Sequence, residues 1–165
     1  MELRRGDLVI STDPARVDLD VVHGYLGGES YWSSGIERER LARAIQHSLC
    51  FGMYEGDKQI GFARVVTDRA TFAYLCDVFV LDSHRGRGLG KWLMESITCH
   101  PDLSRLRRWM LATRDAHPFY EQLGWSRTAK PEIYMEIVKR SAAEADLVDD
   151  FTSKRRDYPR VLPVK

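Results

Sequence analysis

Three glycines, Gly86, Gly88 and Gly90, alternate with Arg87 and Leu89 within "DVFVLDSHRGRGLGKWLM", Asp77 to Met94. A strand-like run, Val78, Phe79, Val80 and Leu81, ends in a polar turn just before them, and a helical pattern starts just after. Glycine costs about 1 kcal/mol against alanine inside a helix, so three of them at a helix start need a reason. The mouth of a helix offers N–H donors without intrahelical acceptors and roughly half a positive charge. Without a Cβ, the backbone there lets a phosphate come close. Arg85, Arg87 and Lys91 add full charges at the same place. The chemistry that suits this arrangement is a grip on a diphosphate. A Walker loop is excluded, because Trp92 follows Lys91 and Arg85 stands where that loop's first glycine would be. A G-x-G-x-x-G dinucleotide turn is excluded as well, since the sixth position counted from Gly86 is Lys91.

Other residues could act beside such a grip. Asp77 is a carboxylate in an otherwise apolar strand, where an unpartnered charge is costly. It is either a site residue or a brace for neighbouring backbone or an arginine. Tyr120 lies in "HPFYEQLGW", surrounded by Phe119, Leu123 and Trp125, and reads as packing or as chemistry. "SYWSSG" places Tyr31, Trp32 and Ser33 in a connection, as a wall for a small ligand, a π-face for a cation, or a staple between helices and sheet. Glu29 and Glu37 are carboxylates close to it in sequence. His117 beside Asp115 reads as a surface histidine or a proton carrier. Cys50, Cys76 and Cys99 are odd in number, far apart and in apolar surroundings, so buried thiols are expected rather than disulfides or metal ligands. No metal is expected.

The elements around these residues follow from periodicity. "DLVIS" is a short strand. "VDLDVVHGYLGG" has helical spacing at Val17, Val21, Val22 and Tyr25 and closes at Gly27 and Gly28, and "GIERERLARAIQHSL" repeats the helical pattern. The period then becomes two: "LCFGMYE", "KQIGFARVVTD" and "TFAYLCDVFVL" are three consecutive strands joined by hairpins at Glu55 to Lys58 and Asp68 to Ala70, hence antiparallel. A helix from about Gly88 to Cys99 is stopped by Pro101. "RLRRWMLAT" reads as a strand. "DAHPFYEQLGW" reads as a helix capped by Asp115 and closed by Gly124, and "EIYMEIVK" as the last strand. The order implies an α/β, mixed α+β sheet with helices on both faces, a single domain over residues 1–140, and a loosely attached tail over 141–165 that could reach a second subunit. With 25 basic and 24 acidic side chains in 165 residues, no nucleic-acid surface is indicated. The basic stretch "SKRRDYPR" shares its tail with five acidic residues. "MELRRGDLVISTD" lacks a signal-peptide core and no run reaches the ~18 apolar residues of a membrane span, so a cytoplasmic protein without a membrane partner is expected.

Arg85-x-x-Gly88-x-Gly90, after a strand and opening a helix, resembles the acetyl-coenzyme A motif of the GNAT superfamily of N-acetyltransferases. "TRDAHPFYEQLGW" resembles that family's second signature. The resemblance implies a mostly antiparallel, twisted sheet splayed between strands 4 and 5. It implies that acetyl-coenzyme A is held by amides of Gly86, Arg87, Gly88, Leu89, Gly90 and Lys91 beside Arg85. The backbone of Val78, Phe79 and Val80 would pair with its pantetheine arm, helped by Thr113 where the family often has asparagine. Tyr120 matches the tyrosine that protonates the coenzyme's sulfur. Tyr74 stands where some members keep a catalytic glutamate. That leaves as the base either Asp77, which a strand bulge could bring beside Tyr74, or a held water. The acceptor pocket would be drawn from Tyr25, Tyr31, Trp32, Ser33, Phe72 and Tyr74. The implied activity is acetyl transfer to a primary amine of a small molecule or peptide, with homodimerisation open. The other reading is a coenzyme-binding sensor without turnover.

Overall fold

A computed structural model describes residues 1–137, in two units, Met1–Ser126 and the described part of Arg127–Lys165. The strands of the first unit are β1 (Glu2–Arg5), β2 (Leu8–Ser11), β3 (Leu49–Glu55), β4 (Lys58–Thr67), β5 (Phe72–Val80) and β6 (Arg108–Met110). Its helices are α1 (Leu19–Gly24), α2 (Arg38–Gln46), α3 (Leu89–Thr98) and α4 (His117–Glu121). The six strands lie side by side in chain order, antiparallel except for β5 and β6, which are parallel.

β1 is an addition to the strands expected from periodicity. Its four residues are all exposed, so no apolar face marks it, and it is carried by the turn at Gly6, φ +59°. The extra strand shifts the count, and the diverging pair expected as strands 4 and 5 is β5 and β6 here. The hairpin between β4 and β5 is held by Asp68, whose Oδ1 accepts the amides of Ala70, Thr71 and Phe72 while Oδ2 accepts the Thr71 hydroxyl. These bonds hold its carboxyl well below the usual carboxylate range.

Helices cover both faces. On one, Leu89, Trp92, Leu93, Met94 and Ile97 of α3 pack on Phe51, Met53, Val65 and Leu75. On the other, Val22, Leu26 and Leu41 pack with Phe62 and Phe79. α1 begins at the Asp18 cap, whose carboxylate accepts the amides of Asp20 and Val21. It does not close at Gly27 and Gly28: a π-helical turn, Tyr25–Glu29, carries it on. α2 ends sooner than its apolar spacing suggested, because Leu49 is already the first residue of β3.

Three further expectations are corrected. "RLRRWMLAT" supplies only three ladder residues, because past Met110 β6 leaves β5. α4 spans five residues and is not capped by Asp115; the Thr113 hydroxyl accepts the Ala116 amide instead. In the second unit, Pro131–Ile133 form a 3-10 turn, and Tyr134 to Ile137 join no ladder among the described residues. Alternation marks two faces of a segment without supplying a partner strand, and proline has no N–H for a ladder. The end of "EIYMEIVK" and the tail 141–165 lie outside the described residues.

Candidate functional site

β5 touches β6 only through the pairs Phe72–Arg108, Ala73–Trp109 and Tyr74–Met110. Beyond Tyr74 the strands part, and a cavity of about 1100 Å³ opens between them. One wall is β5 from Tyr74 to Val80, and the facing wall runs from Leu111 to Ala116 and on to Phe119 and Tyr120. The edge of β5 from Leu75 onward has no ladder partner on this side among the described residues. Val78, Phe79 and Val80 thus lie where an extended ligand would add to a sheet.

At one end the cavity meets the mouth of α3. Gly86 and Gly88 have φ of +76° and +74°, and Gly88 is the helix's N-cap without any side-chain cap. The first backbone bond into the helix is Trp92 N–H to the Gly88 carbonyl. Amides of Gly86 through Lys91 find no acceptor among the described residues. A Cβ placed on Gly86 or Gly88 would meet nothing within 4 Å, so bare backbone faces open volume. Gly90 is tighter: its Cβ would stand 3.4 Å from Cζ of Phe119. Gly86, Gly88, Leu89, Gly90 and Lys91 all line the cavity.

The three basic residues there are not equivalent. Arg85 lines the cavity, with Nη2 2.8 Å from the Tyr25 hydroxyl and 2.7 Å from Oδ1 of Asp82, and Nε donating to the Val80 carbonyl. Lys91 is exposed, 3.8 Å from Glu95. Arg87 does not line the cavity, because its guanidinium is held 2.7 Å from Oε1 of Glu55, whose other oxygen lies 3.3 Å from Nε2 of His84. The Arg87 hydrogen bond holds the Glu55 carboxyl below its ordinary range. No local signal in the sequence named Glu55. The antiparallel register, Gly61 opposite Val80, brings its hairpin beside the turn that follows β5.

Asp77 sits at a bulge. Arg64 pairs with Cys76 and Phe62 with Phe79, so β5 spends an extra residue, and Asp77 adopts φ +56°. Side-chain parity inverts there: Ala73 and Leu75 face the α3 core before it, Val78 and Val80 after it. Tyr74, Cys76 and Asp77 all line the cavity. Asp77 is 7% exposed and its Oδ2 lies 2.6 Å from Nε of Arg64, which also donates to the Ser48 hydroxyl. Arg64→Met therefore strands a carboxylate in the sheet and should cost about 3–5 kcal/mol of unfolding free energy in a urea titration. Adding Asp77→Asn, whose side chain tolerates the left-handed backbone, should recover most of it. A loss below about 1 kcal/mol in the single variant would remove the pair from the sheet's support.

Tyr120 lines the cavity, its ring edge-on to Phe119 and Trp125. Burial pushes its phenol up to about 12, with a smaller push from Tyr31. Its hydroxyl makes no hydrogen bond with a described residue and is left for a ligand. Thr113 lines the cavity, but its hydroxyl already accepts the Ala116 amide.

Opposite stands an aromatic corner. The Tyr25 ring stacks on Phe79 at 4.0 Å and lies 6.4 Å from Trp32, which meets Tyr31 edge-on at 5.0 Å. Tyr31, Trp32, Ser33 and Glu29 line the cavity with Tyr25 and Tyr74, whereas Phe72, also named from the sequence, does not. Phe72 is paired with Arg108 before the strands part. Burial pushes the Cys50 thiol up to about 12, as for an inert core thiol, and the half-buried Cys76 thiol to about 11; Cys99 is exposed, contrary to its apolar setting in sequence.

Comparison with known proteins fits this geometry. The model of the "Acetyltransferase (GNAT) domain" matches residues 46–127, which span β3 to the end of α4. A protein of Gibberella zeae provisionally named an acetyltransferase is 34% identical over 141 residues, covering 73% of this chain and 80% of that protein. A crystal structure from Xanthomonas campestris pv. campestris, provisionally assigned as an acetyltransferase of the GNAT family, is 45% identical with a TM-score of 0.78. That match covers 80% of this chain and 93% of its own. Another provisionally named acetyltransferase, from Deinococcus radiodurans R1, matches at 25% identity and a TM-score of 0.64, covering 85% of this chain and 94% of its own. With these relatives, and with a glycine-built helix mouth beside a parted strand pair, the chain belongs to the GNAT superfamily of acetyltransferases.

Proposed function

We propose that this protein binds acetyl-coenzyme A along β5 and the mouth of α3 and transfers the acetyl group directly to a primary amine of a small molecule or peptide. One observation carries the reading. The amides of Gly86 and of Gly88 to Lys91, acceptor-free among the described residues, the edge at Val78 to Val80 that β6 leaves unpaired, and the Tyr120 phenol belong to the lining of a single cavity. Those features suit, in order, a diphosphate, an amide-bearing arm and a thioester sulfur.

Burial holds the Tyr120 phenol protonated at neutral pH, so its O–H is available to the sulfur as a donor. The phenol therefore acts as a hydrogen-bond donor whose contribution grows as charge develops on sulfur. Tyr31, Trp32 and Tyr74 wall the acceptor side, and Asp77 holds the bulge through Arg64. An amine of pKa about 10.4 pays about 4 kcal/mol to be neutral at about pH 7.4, so a proton acceptor is required.

The test is thiol release from acetyl-coenzyme A with a panel of alkylamines, amino acids, aminosugars and peptides, alongside a thermal shift. The expected result is stabilisation by the coenzyme and amine-dependent release with at least one acceptor. Stabilisation without release from any amine would leave the coenzyme sensor as the better reading. No stabilisation would overturn both.

A further inference from the structure

Two connections meet across the cavity mouth: the loop after the π-helical turn, carrying Tyr31, and the segment between β6 and α4, carrying Arg114 and Asp115. The Tyr31 hydroxyl donates to Oδ1 of Asp115 at 3.3 Å and accepts the Arg114 amide at 3.0 Å. The Arg114 guanidinium lies 3.7 Å from the centre of the Tyr31 ring, and Trp32 packs on it edge-on. Packing alone would fix the ring without a carboxylate on its hydroxyl, and this aromatic lines the same cavity as Tyr120.

We propose that the Tyr31 hydroxyl and the Asp115 carboxylate form a relay that takes the proton from the attacking amine. This rests on the acetyl-transfer reading above. A phenol oxygen donates one hydrogen bond and accepts others. Tyr31 spends its donor on Asp115 and one acceptor position on Arg114, which leaves one acceptor position of its oxygen unused among the described residues. As the C–N bond forms at the thioester carbon, a proton leaves nitrogen for the Tyr31 oxygen while the Tyr31 proton passes to Asp115. The C–S bond then breaks, the sulfur leaves with the electron pair while the Tyr120 hydroxyl donates a hydrogen bond to it, and the thiolate takes up a proton from solvent to become the thiol. Asp115 returns its proton to solvent through its exposed side. The balance is amine plus thioester to amide plus thiol.

The other carboxylates of the cavity are less suited. Asp77 has one oxygen committed to Arg64, and Glu29 makes no hydrogen bond or ion pair with a described residue that would orient it. Asp115 is not engaged in capping α4, because the Thr113 hydroxyl accepts the amide at the start of that helix. The charged or titratable groups around the relay are Arg114, at 3.9 Å from Oδ2 of Asp115, and Tyr120.

Asp115→Asn separates chemistry from latching, since its amide oxygen still accepts from Tyr31 but does not take a proton. With the alkylamine that turns over fastest, kcat should fall about 100-fold, with KM changed less than about threefold and the acetyl-coenzyme A thermal shift unchanged. Asp115→Glu should recover part of the rate, and Tyr31→Phe should match Asp115→Asn. With a β-fluorinated analogue of the same amine, which sheds its proton readily, the loss should shrink at least about fivefold. A kcat for Asp115→Asn within about threefold of wild type, or equal losses for the two amines, would overturn the relay. Either result would leave wild-type thiol release intact, whereas its absence in wild type would sink acetyl transfer and the relay together.

Discussion

Gly88→Val should abolish acetyl-coenzyme A binding within the range of a calorimetric titration while the protein stays folded. At φ +74° a residue with a Cβ is strained by about 1–2 kcal/mol, a fall of roughly 5 °C in Tm for a unit of this size. The binding loss has a separate cause. Valine's methyls would occupy the open volume where the bare backbone now faces, and would hold a phosphate away from the amides that follow. Losing two charge-assisted hydrogen bonds at about 1.5 kcal/mol each weakens binding by at least about 100-fold. Gly6→Val is the control. Gly6 has φ +59° and open surroundings, and it lies in the β1–β2 turn. It should show the thermal penalty with no change in affinity. If Gly88→Val bound the coenzyme within about threefold of wild type, the diphosphate grip would be wrong.

Tyr120→Phe should behave in the opposite way, with binding retained and turnover lost. The phenylalanine ring keeps the edge contacts with Phe119 and Trp125. No described residue loses a partner with the hydroxyl, so stability should move by less than about 1 kcal/mol. Removing one donor aimed at developing charge costs about 100-fold in kcat. Because the phenol is pushed up to about 12, it stays protonated throughout the neutral range. The pH profiles of wild type and variant should therefore have the same shape between about pH 6 and 9, displaced in height. Thiol release by Tyr120→Phe at the wild-type rate would take the donor role from this residue. A new pH limb would assign it a different one.

The order of strands and helices follows from changes in hydrophobic period, and the left-handed turn before α3 follows from glycines where a helix should begin. Both are local properties of the chain: Gly86 and Gly88 do adopt left-handed backbone, and α3 starts at the very next residue. Period alone failed where an element has no apolar face, as in the exposed β1, and where an alternating segment starts with a 3-10 turn, as at Pro131–Ile133.

Residue order alone therefore specifies the glycine turn that opens α3, the alternation that builds β3 to β5, and the placing of Tyr120 in a short helix. Folding in three dimensions settles a different matter, namely which charges are free to work. Arg87 stands in the motif yet is bound by Glu55 from a hairpin 32 residues earlier. Asp77 is spoken for by Arg64 across the sheet, and Asp115 meets Tyr31 across 84 positions of chain. Ion pairs and hydrogen bonds act over a few ångströms of space, and separation along the chain leaves no periodic trace by which they can be read.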